Sequence, residues 1–282
     1  MISVFRERIL ASKNAYITGG TSGICLGIAE LFARQGARVA VQGRNPEKVQ
    51  AAMQLLASHG SPVRGCPADV RDAAATGAAL QSVRNNWGEI DILVCGAAGN
   101  FPAPAIGLSP NGFKSVVDID LLGTFNTARL AWEHLRRPGA SVLAISATHG
   151  AQPYEFQAHV CAAKAGVDML CKVLALEWGP AGVRVNAIAP GPVDGTEGMR
   201  RLAPTDEARA AVSSGVPLRR FASIDEIAAA ALFLCSEAAA YVTGAVLNVD
   251  GGAALVGSRF IGEALVNPRQ AGQLPITRNN AA

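Results

Sequence analysis

Residues 17–25 read ITGGTSGIC and lie between a short apolar run and a pattern typical of a helix from about Ile24 to Arg34. Glycine allows a backbone to approach a phosphate group closely, and the first amide groups of a helix favour negative charge. A glycine cluster directly after a first strand is typical of a site for the pyrophosphate of a dinucleotide. We therefore predict a nucleotide cofactor site in this stretch. Its predicted contacts are Gly19, Thr21, Ser22, Gly23 and Ile24.

Short aliphatic runs alternate with longer helical patterns along the chain. Strands are predicted in NAYITGG, ARVAVQG, SPVRGCPADV, DILVCGAAG, ASVLAIS, VRVNAIAPG and AVLNVDGG. Continuous Val, Ile and Leu strands that alternate with helices predict a parallel sheet covered on both faces. No composition break or linker divides the chain. We predict an α/β, doubly wound fold with one domain over residues 1–252, followed by a tail or lid over residues 253–282.

The bulk composition limits the classes of protein to which the chain can belong. Half of the 282 residues are hydrophobic and 17% are charged, which is enough for a large core and argues against disorder. The net charge of +3 is too small to indicate a nucleic-acid partner. The long uncharged run, residues 92–113, is broken by Pro102, Pro104 and Pro110, so no span of a bilayer (~20 apolar residues) is predicted and no membrane association is expected.

The termini and the cysteines indicate a compartment. The N-terminal apolar run is interrupted by Arg6, Glu7 and Arg8, so it does not predict a secretory signal. The chain ends in NNAA and not in a Ser-Lys-Leu-type address, so a peroxisomal location is not predicted. The six cysteines show no C-x-x-C pair and no metal-ligand spacing, so they are predicted to be small core residues and no metal site is predicted. We expect a cytoplasmic protein.

The end of the second predicted strand indicates the type of cofactor. A site for NAD usually places a carboxylate here for the ribose hydroxyls, whereas this chain has Gly43 followed by Arg44. A guanidinium group suits a 2′-phosphate, so we predict NADP(H). Asp69 and Val70, which follow the third strand, are predicted to lie near the adenine.

The order of these motifs resembles the short-chain dehydrogenase/reductase family over roughly residues 10–252. The resemblance is found in TGGTSGI, DILVCGAAG, Lys164 in its helix, LALEWGPAGVRVNAIAPGPV and VTGAVLNVDGG. It implies a Rossmann-like domain with seven parallel strands and a homo-oligomer, either a tetramer or a dimer. Further cofactor contacts that it implies are Ala97, Ala98, Gly99, Lys164, Pro190, Gly191 and Val193.

Three of the four catalytic residues that most members of that family use are replaced in this chain. Asp120 stands in the place of the asparagine, Ala147 in that of the serine and Val160 in that of the tyrosine; Lys164 remains. Serine and tyrosine serve carbonyl reduction because the substrate oxygen must gain or lose a proton. Reduction of a conjugated carbon–carbon double bond needs only a stabilised enolate oxygen, since the proton goes to carbon. The replacements therefore favour double-bond reduction.

Within the family, these departures resemble the peroxisomal-type 2,4-dienoyl-CoA reductases. The matching stretches include CGAAGNFPAPA, DIDLLGTFN, QAHVCAAKAGVDML and GTEGMRRL. The resemblance implies an NADPH-dependent reductase of an acyl-CoA substrate, with Lys164, Asp120 and Asp250 as catalytic residues. Asp120 is also predicted to lie at the start of a helix that ends near Arg136, where the helix dipole favours a carboxylate.

A CoA ester carries several phosphate charges, so arginines beside the segment after APGPV are candidate phosphate partners. The apolar run from Phe101 to Leu108 is predicted to line an acyl channel. The predicted substrate contacts are Asn100, Phe101, His149, Arg200, Arg201 and Arg219, with Arg220 as a further candidate.

Two other interpretations are kept open. One is a keto or hydroxyacyl reductase with a displaced proton donor, either Tyr154 or His149, where a histidine with a pKa near ~6.5 would suit the task. The other is a catalytically silent NADP-binding protein. The retained Lys164 and the new carboxylate of Asp120 argue against the silent interpretation, because a protein that has lost its activity has no need of them.

Overall fold

The computed structural model describes residues 7–258 of the chain, and its centre is a seven-stranded parallel sheet. The strand order is β3-β2-β1-β4-β5-β6-β7, so the order reverses between β1 and β4. Every predicted strand is present, and the α/β doubly wound prediction is confirmed. The strands are β1 (Asn14–Thr18), β2 (Arg38–Gly43), β3 (Val63–Pro67), β4 (Ile92–Cys95), β5 (Ser141–Ile145), β6 (Arg184–Pro190) and β7 (Val246–Val249).

Helices cover both faces of the sheet, as continuous apolar strands require. On one face α1 packs against α9, and their side chains form a core with β1 and β2. On the other face α3, α5 and α6 enclose a second core. The helices are α1 (Gly23–Arg34), α2 (Pro46–Ala57), α3 (Ala73–Trp87), α4 (Pro110–Val117), α5 (Gly123–Ala131), α6 (Ala158–Trp178), α7 (Glu197–Leu202), α8 (Asp206–Gly215) and α9 (Ile224–Cys235).

Several helix starts follow from local capping. Asn45 accepts a hydrogen bond from the Lys48 amide at the start of α2, and Ser109 does the same for the Gly112 amide at the start of α4. Both caps are followed by proline in the first turn, as the sequence predicts. Among the described residues, no helix combines the length and apolar character that crossing a bilayer requires.

The prediction of a separate helix from Asp120 to Arg136 is wrong. The chain runs without a break from α4 through a π-helical segment, Asp118–Leu122, into α5, which ends at Ala131. Val117 and Leu122 keep right-handed helical dihedral angles, and neither aspartate between them adopts the extended backbone or makes the side-chain hydrogen bond of an N-cap, so no new helix starts here. Asp120 therefore lies inside a continuous helix and not at a helix N-terminus.

The structure describes only the first residues of the predicted tail. Residues 253–258 form a 3-10 helix directly after the turn that follows β7. The rest of the predicted tail or lid, residues 259–282, lies outside the described residues.

Candidate active site

The carboxyl ends of the parallel strands open onto a cavity of about 820 Å³. It lies where the strand order reverses, which is the usual place for a ligand in an open α/β sheet. Every residue predicted to contact the cofactor lines this cavity. These residues are Gly19, Thr21, Ser22, Gly23, Ile24, Arg44, Asp69, Val70, Ala97, Ala98, Gly99, Lys164, Pro190, Gly191 and Val193.

The turn from β1 to α1 forms a phosphate-sized cradle. Gly19 has a φ of +70°, and a Cβ atom there would lie 2.7 Å from the Gly96 carbonyl oxygen. The side chain of Ser22, at the N-cap of α1, does not hydrogen-bond to the helix, so the first amide groups of α1 keep their capacity for a ligand. These features fit the pyrophosphate of a dinucleotide.

Cys25 occupies the space that a third glycine of this motif would leave open. Its thiol is buried and lies 3.7 Å from the Gly96 carbonyl oxygen. A Cβ on Gly96 would lie 2.1 Å from the sulfur, so the close contact depends on glycine at that position. Burial raises the pKa of the Cys25 thiol to about 12, which makes it a packing group and not a nucleophile.

The end of the cavity near β2 carries positive charge. Arg44 and Lys48 both line it, and they are one helical turn apart in sequence. The carboxylate of Asp69, nearby, is paired with Arg71 at 2.6 Å, and hydrogen bonds from Arg71 lower the pKa of Asp69. The arrangement suits a 2′-phosphate. Lys48 was not among the predicted cofactor contacts. Its position in the sequence, four residues after Arg44, could have indicated a second positive charge at this end of the cavity.

A buried ion pair lies at the centre of the cavity. Asp120 and Lys164 are 1% and 6% exposed, and Lys164 Nζ lies 3.0 Å from Asp120 Oδ2. Nζ donates a hydrogen bond to the Ile145 carbonyl oxygen at 3.0 Å, and Asp120 Oδ1 accepts one from the Gly99 amide at 2.7 Å. The pair thus joins α6 to the ends of β4 and β5, and two of the predicted catalytic residues meet as expected.

Apolar side chains occupy the positions where a serine and a tyrosine would serve carbonyl reduction. Ala147 and Val160 both line the cavity. Tyr154 is close by, but its hydroxyl lies 2.8 Å from Thr148 Oγ1 and its ring stacks on His149 at 3.9 Å. The cavity wall beside Lys164 is therefore apolar on two sides.

His149 does not have the pKa that the sequence interpretation assumed. Burial, together with the positive charge of Lys164, lowers the pKa of the imidazole to about 4. The expectation of an ordinary value near ~6.5 is wrong, because both effects disfavour the charged ring. At neutral pH His149 is an uncharged group on the cavity wall.

Asp250 lies apart from the other two predicted catalytic residues. It follows β7 and lines a neighbouring depression, which shares Pro192 with the main cavity. Its carboxylate accepts hydrogen bonds from the Gly252 amide at 2.9 Å and the Ala254 amide at 2.7 Å. Both oxygens therefore hold the turn after β7, and a direct part for Asp250 in proton transfer stays a prediction.

The predicted substrate contacts divide into two groups. Asn100 and His149 line the cavity. Phe101 does not line it; its ring packs on the ring of His159, with the centroids 4.5 Å apart.

The arginines that were predicted to bind the CoA phosphates also lie outside the cavity lining, and each has a protein partner. Arg200 and Arg201 pair with Glu197, Arg219 donates to the Ser214 carbonyl oxygen, and Arg220 pairs with Glu226.

Sequence reasoning missed several polar groups of this site. Ser146 and Gln157 line the cavity, and both are buried. Asp168, one helical turn after Lys164, is also buried, and burial raises the pKa of its carboxyl group. The spacing of Gln157, seven residues before Lys164, places it on the same side of α6 and is the signal that could have identified it.

The sheet, the glycine cradle and the lysine on α6 define the class of Rossmann-like proteins that bind a nicotinamide dinucleotide. The chain belongs to the short-chain dehydrogenase/reductase family. Residues 19–254 match the family model described as Enoyl-(Acyl carrier protein) reductase.

Curated relatives and a solved structure agree with this assignment. The chain is 42% identical over 260 residues to the peroxisomal 2,4-dienoyl-CoA reductase [(3E)-enoyl-CoA-producing] of Danio rerio, covering 92% of this chain and 87% of the relative. It is also 42% identical to the corresponding Saccharomyces cerevisiae protein, covering 91% and 89%. The structure of the citronellol catabolism dehydrogenase of Pseudomonas aeruginosa has a TM-score of 0.79 at 32% identity, covering 90% of this chain and all of that one.

Proposed function

We propose that the chain is an NADPH-dependent reductase of 2,4-dienoyl-CoA thioesters. The observation that supports this most directly is the buried Asp120–Lys164 pair in a cavity whose serine and tyrosine positions hold Ala147 and Val160. Such a site keeps the group that holds a nicotinamide ribose and has lost the hydroxyl donors that a carbonyl oxygen requires. The names of the two similar proteins reported above agree with the proposal.

The cofactor would lie along the floor of the cavity, where it would supply hydride. The cradle at Gly19 and the free amide groups of α1 would hold its pyrophosphate. Arg44 and Lys48 would face the 2′-phosphate, which is the basis for proposing NADPH over NADH.

The protein side chains would have two tasks during the reaction. Lys164 would hold the ribose hydroxyls with the donor that remains, since the Ile145 carbonyl oxygen takes one of its three N–H groups and the Asp120 carboxylate faces another. Hydride would add to the diene carbon that is farthest from the thioester, and this addition would form a negative dienolate. The positive charge of Lys164 would also stabilise that dienolate. The proton that completes the reaction would pass from the Asp120–Lys164 pair through a cavity water to substrate carbon, leaving a 3-enoyl thioester.

The test is NADPH oxidation, measured separately with 2,4-dienoyl-CoA, 2-enoyl-CoA and 3-ketoacyl-CoA. We expect turnover with the dienoyl thioester and little with the other two. Activity on the keto substrate alone would contradict the proposal and favour a carbonyl reductase that uses Tyr154, which lines the same cavity. NADPH binding without turnover of any of the three would favour a silent binding protein.

The proposal also includes a homo-oligomeric state and a cytoplasmic location. Apolar side chains exposed on α5 and α6 support association with further copies of the chain, as a dimer or tetramer. A cytoplasmic location also remains part of the proposal, whereas the two relatives named above are peroxisomal.

A further inference from the structure

Gln157 is a buried amide in the cavity that the chemistry above does not use. Its side chain lines the cavity, and the residue is 4% exposed. It stands at the N-cap of α6, yet its side chain makes no capping hydrogen bond. Within residues 7–258, its buried Oε1 has no hydrogen-bond partner. Buried polar groups nearly always have a partner, so a buried amide whose side chain makes no hydrogen bond to the described protein indicates a ligand that takes up the N–H donors of Nε2.

The backbone before Gln157 holds this arrangement in place. Phe156 has a φ of +61°, a left-handed conformation that is uncommon for a bulky residue. Its carbonyl oxygen accepts a hydrogen bond from the Ala103 amide at 2.9 Å, which ties the start of α6 to the segment after β4. Strained residues of this kind persist where the surrounding structure fixes them, and they are concentrated at functional sites.

Gln157 and Lys164 are the polar groups that the α6 side of the cavity offers to a ligand. The cavity lining on this side consists of Gln157, Val160 and Lys164. The side chain of Val160 has no hydrogen-bond donor. The two polar residues are seven positions apart, which is about two helical turns or ~10 Å along the axis. Lys164 is beside the nicotinamide end, so Gln157 is placed beside the part of the substrate farther from the cofactor. In a dienoyl thioester that reacts at its distal double bond, this part is the thioester group.

We propose that the terminal amide of Gln157 donates a hydrogen bond to the thioester carbonyl oxygen and stabilises the negative charge that develops there. The inference rests on the proposed function, to which it adds a catalytic residue. A neutral N–H donor suits this task, because it stabilises an enolate oxygen without giving that oxygen a proton. Asn100 lines the same cavity, and the N–H groups of its amide would add a second donor to the oxygen.

The first test is Gln157→Met, which keeps the length of the side chain and removes its donors. Loss of one donor to a developing oxyanion lowers kcat by about 100-fold or more. We expect that fall in kcat with dienoyl-CoA, a small change in KM and an unchanged Kd for NADPH. Gln54→Met, on the exposed face of α2, is the matched control and should keep wild-type kinetics. A kcat of Gln157→Met within threefold of wild type would overturn the proposal.

The second test does not depend on turnover. Hexanoyl-CoA and its thioether analogue hexyl-CoA differ in the carbonyl group alone, and their binding to the protein with NADP⁺ can be measured by calorimetry. We expect wild type to bind the thioester about tenfold more tightly, and Gln157→Met to lose most of that preference, leaving only the part that Asn100 supplies. A preference as large as that of wild type would overturn the proposal.

These results separate this proposal from the function on which it rests. Wild-type protein that does not reduce 2,4-dienoyl-CoA contradicts the proposed function, while the thioester preference still tests Gln157. Gln157→Glu provides a second variant of the same size, and its charge should lower kcat at least as far as methionine does. Circular dichroism and NADPH binding would verify that each variant is folded.

Discussion

Asp120 and Lys164 are two opposite charges that the fold has removed from water together. Each has compensating contacts, namely the Gly99 amide for the aspartate and the Ile145 carbonyl oxygen for the lysine. Burial of a charge is expensive, and removal of one partner leaves the other without compensation. The same pair therefore serves both the stability of the centre of the molecule and the proposed chemistry.

A double-mutant cycle measures this dependence. Lys164→Met should lower the free energy of unfolding by about 3–5 kcal/mol, because it strands the Asp120 carboxylate in the interior. Adding Asp120→Asn should restore part of that loss. Urea unfolding of the two single variants and the double variant gives the coupling energy, and simple additivity would contradict the assignment of a buried ion pair.

The charge at the β2 end of the cavity leads to a prediction about cofactor preference. Arg44→Asp should raise the Kd for NADPH by about tenfold or more, because it replaces a partner of the 2′-phosphate with a like charge. The Kd for NADH should not rise. Arg38→Asp, at the opposite end of the same strand, is the control, and fluorescence titration with both nucleotides is the measurement. An equal loss for the two nucleotides would contradict a 2′-phosphate contact.

The depressed pKa of His149 predicts a pH dependence of stability. The folded-state pKa is about 4, below the unfolded value near 6.5, so the unfolded chain binds more protons between these values. Stability should therefore fall as the pH is lowered from about 6.5 towards 4, by up to about 3 kcal/mol from this group. His149→Gln should remove that part of the slope. Unfolding free energies at pH 4.5 and pH 7 test it, and an identical slope in both proteins would contradict it.

At the scale of elements, the π-helical segment is the feature that brings Asp120 into the cavity. An extra residue within one helical turn rotates the side chains that follow it, and such segments are often found at functional sites. The close contact between α1 and the segment after β4 borders the same cavity, since Cys25 and Gly96 also line it. A substitution in the π-helical segment, or in the contact between α1 and the segment after β4, should therefore shift the helix that carries it.

The contact between α1 and β4 can be tested through Gly96. Gly96→Ala should lower the free energy of unfolding by about 1–3 kcal/mol, because the new methyl group would overlap the Cys25 sulfur. Cys25→Ala in the same protein should recover part of that loss, whereas Cys25→Ala alone should cost little. Thermal and urea unfolding of the three variants provide the measurement. A double variant no more stable than Gly96→Ala would show that the sulfur is not the obstacle.

How far the sequence predicts each element depends on the range of the interactions that form it. Each strand is a buried aliphatic run, and the cofactor contacts follow from a glycine motif at a strand end, so both could be predicted. The π turn at Asp120 depends on backbone pairing that leaves no signature in residue type. The pairing of Arg200 and Arg201 with Glu197 depends on the helix α7, which has only six residues and a weak pattern. The predicted strand run AVLNVDGG includes Asp250, whereas β7 ends at Val249, and the cavity that its carboxylate faces depends on the turn that follows.

At the scale of the whole molecule, an apolar stripe remains uncovered on the outside. Met169, Val173 and Leu176 follow each other at helical spacing on α6, and Leu176 is 80% exposed. Phe125 on α5 is also exposed. A stripe of this kind on a water-facing surface favours association with another copy of the chain.

Substitutions in the stripe test the association directly. Met169→Glu with Leu176→Lys should shift the protein to a smaller species in analytical ultracentrifugation, because both changes place charge in an apolar contact. Ala57→Lys on α2, outside the stripe, should leave the mass unchanged. A monomeric wild-type protein would contradict the prediction.

The cavity runs from Arg44 to Gln157 without a wall between its two ends. Under the proposed function, hydride passes directly between two reactants that occupy this one cavity together. We therefore expect sequential steady-state kinetics, in which both reactants bind before either product leaves.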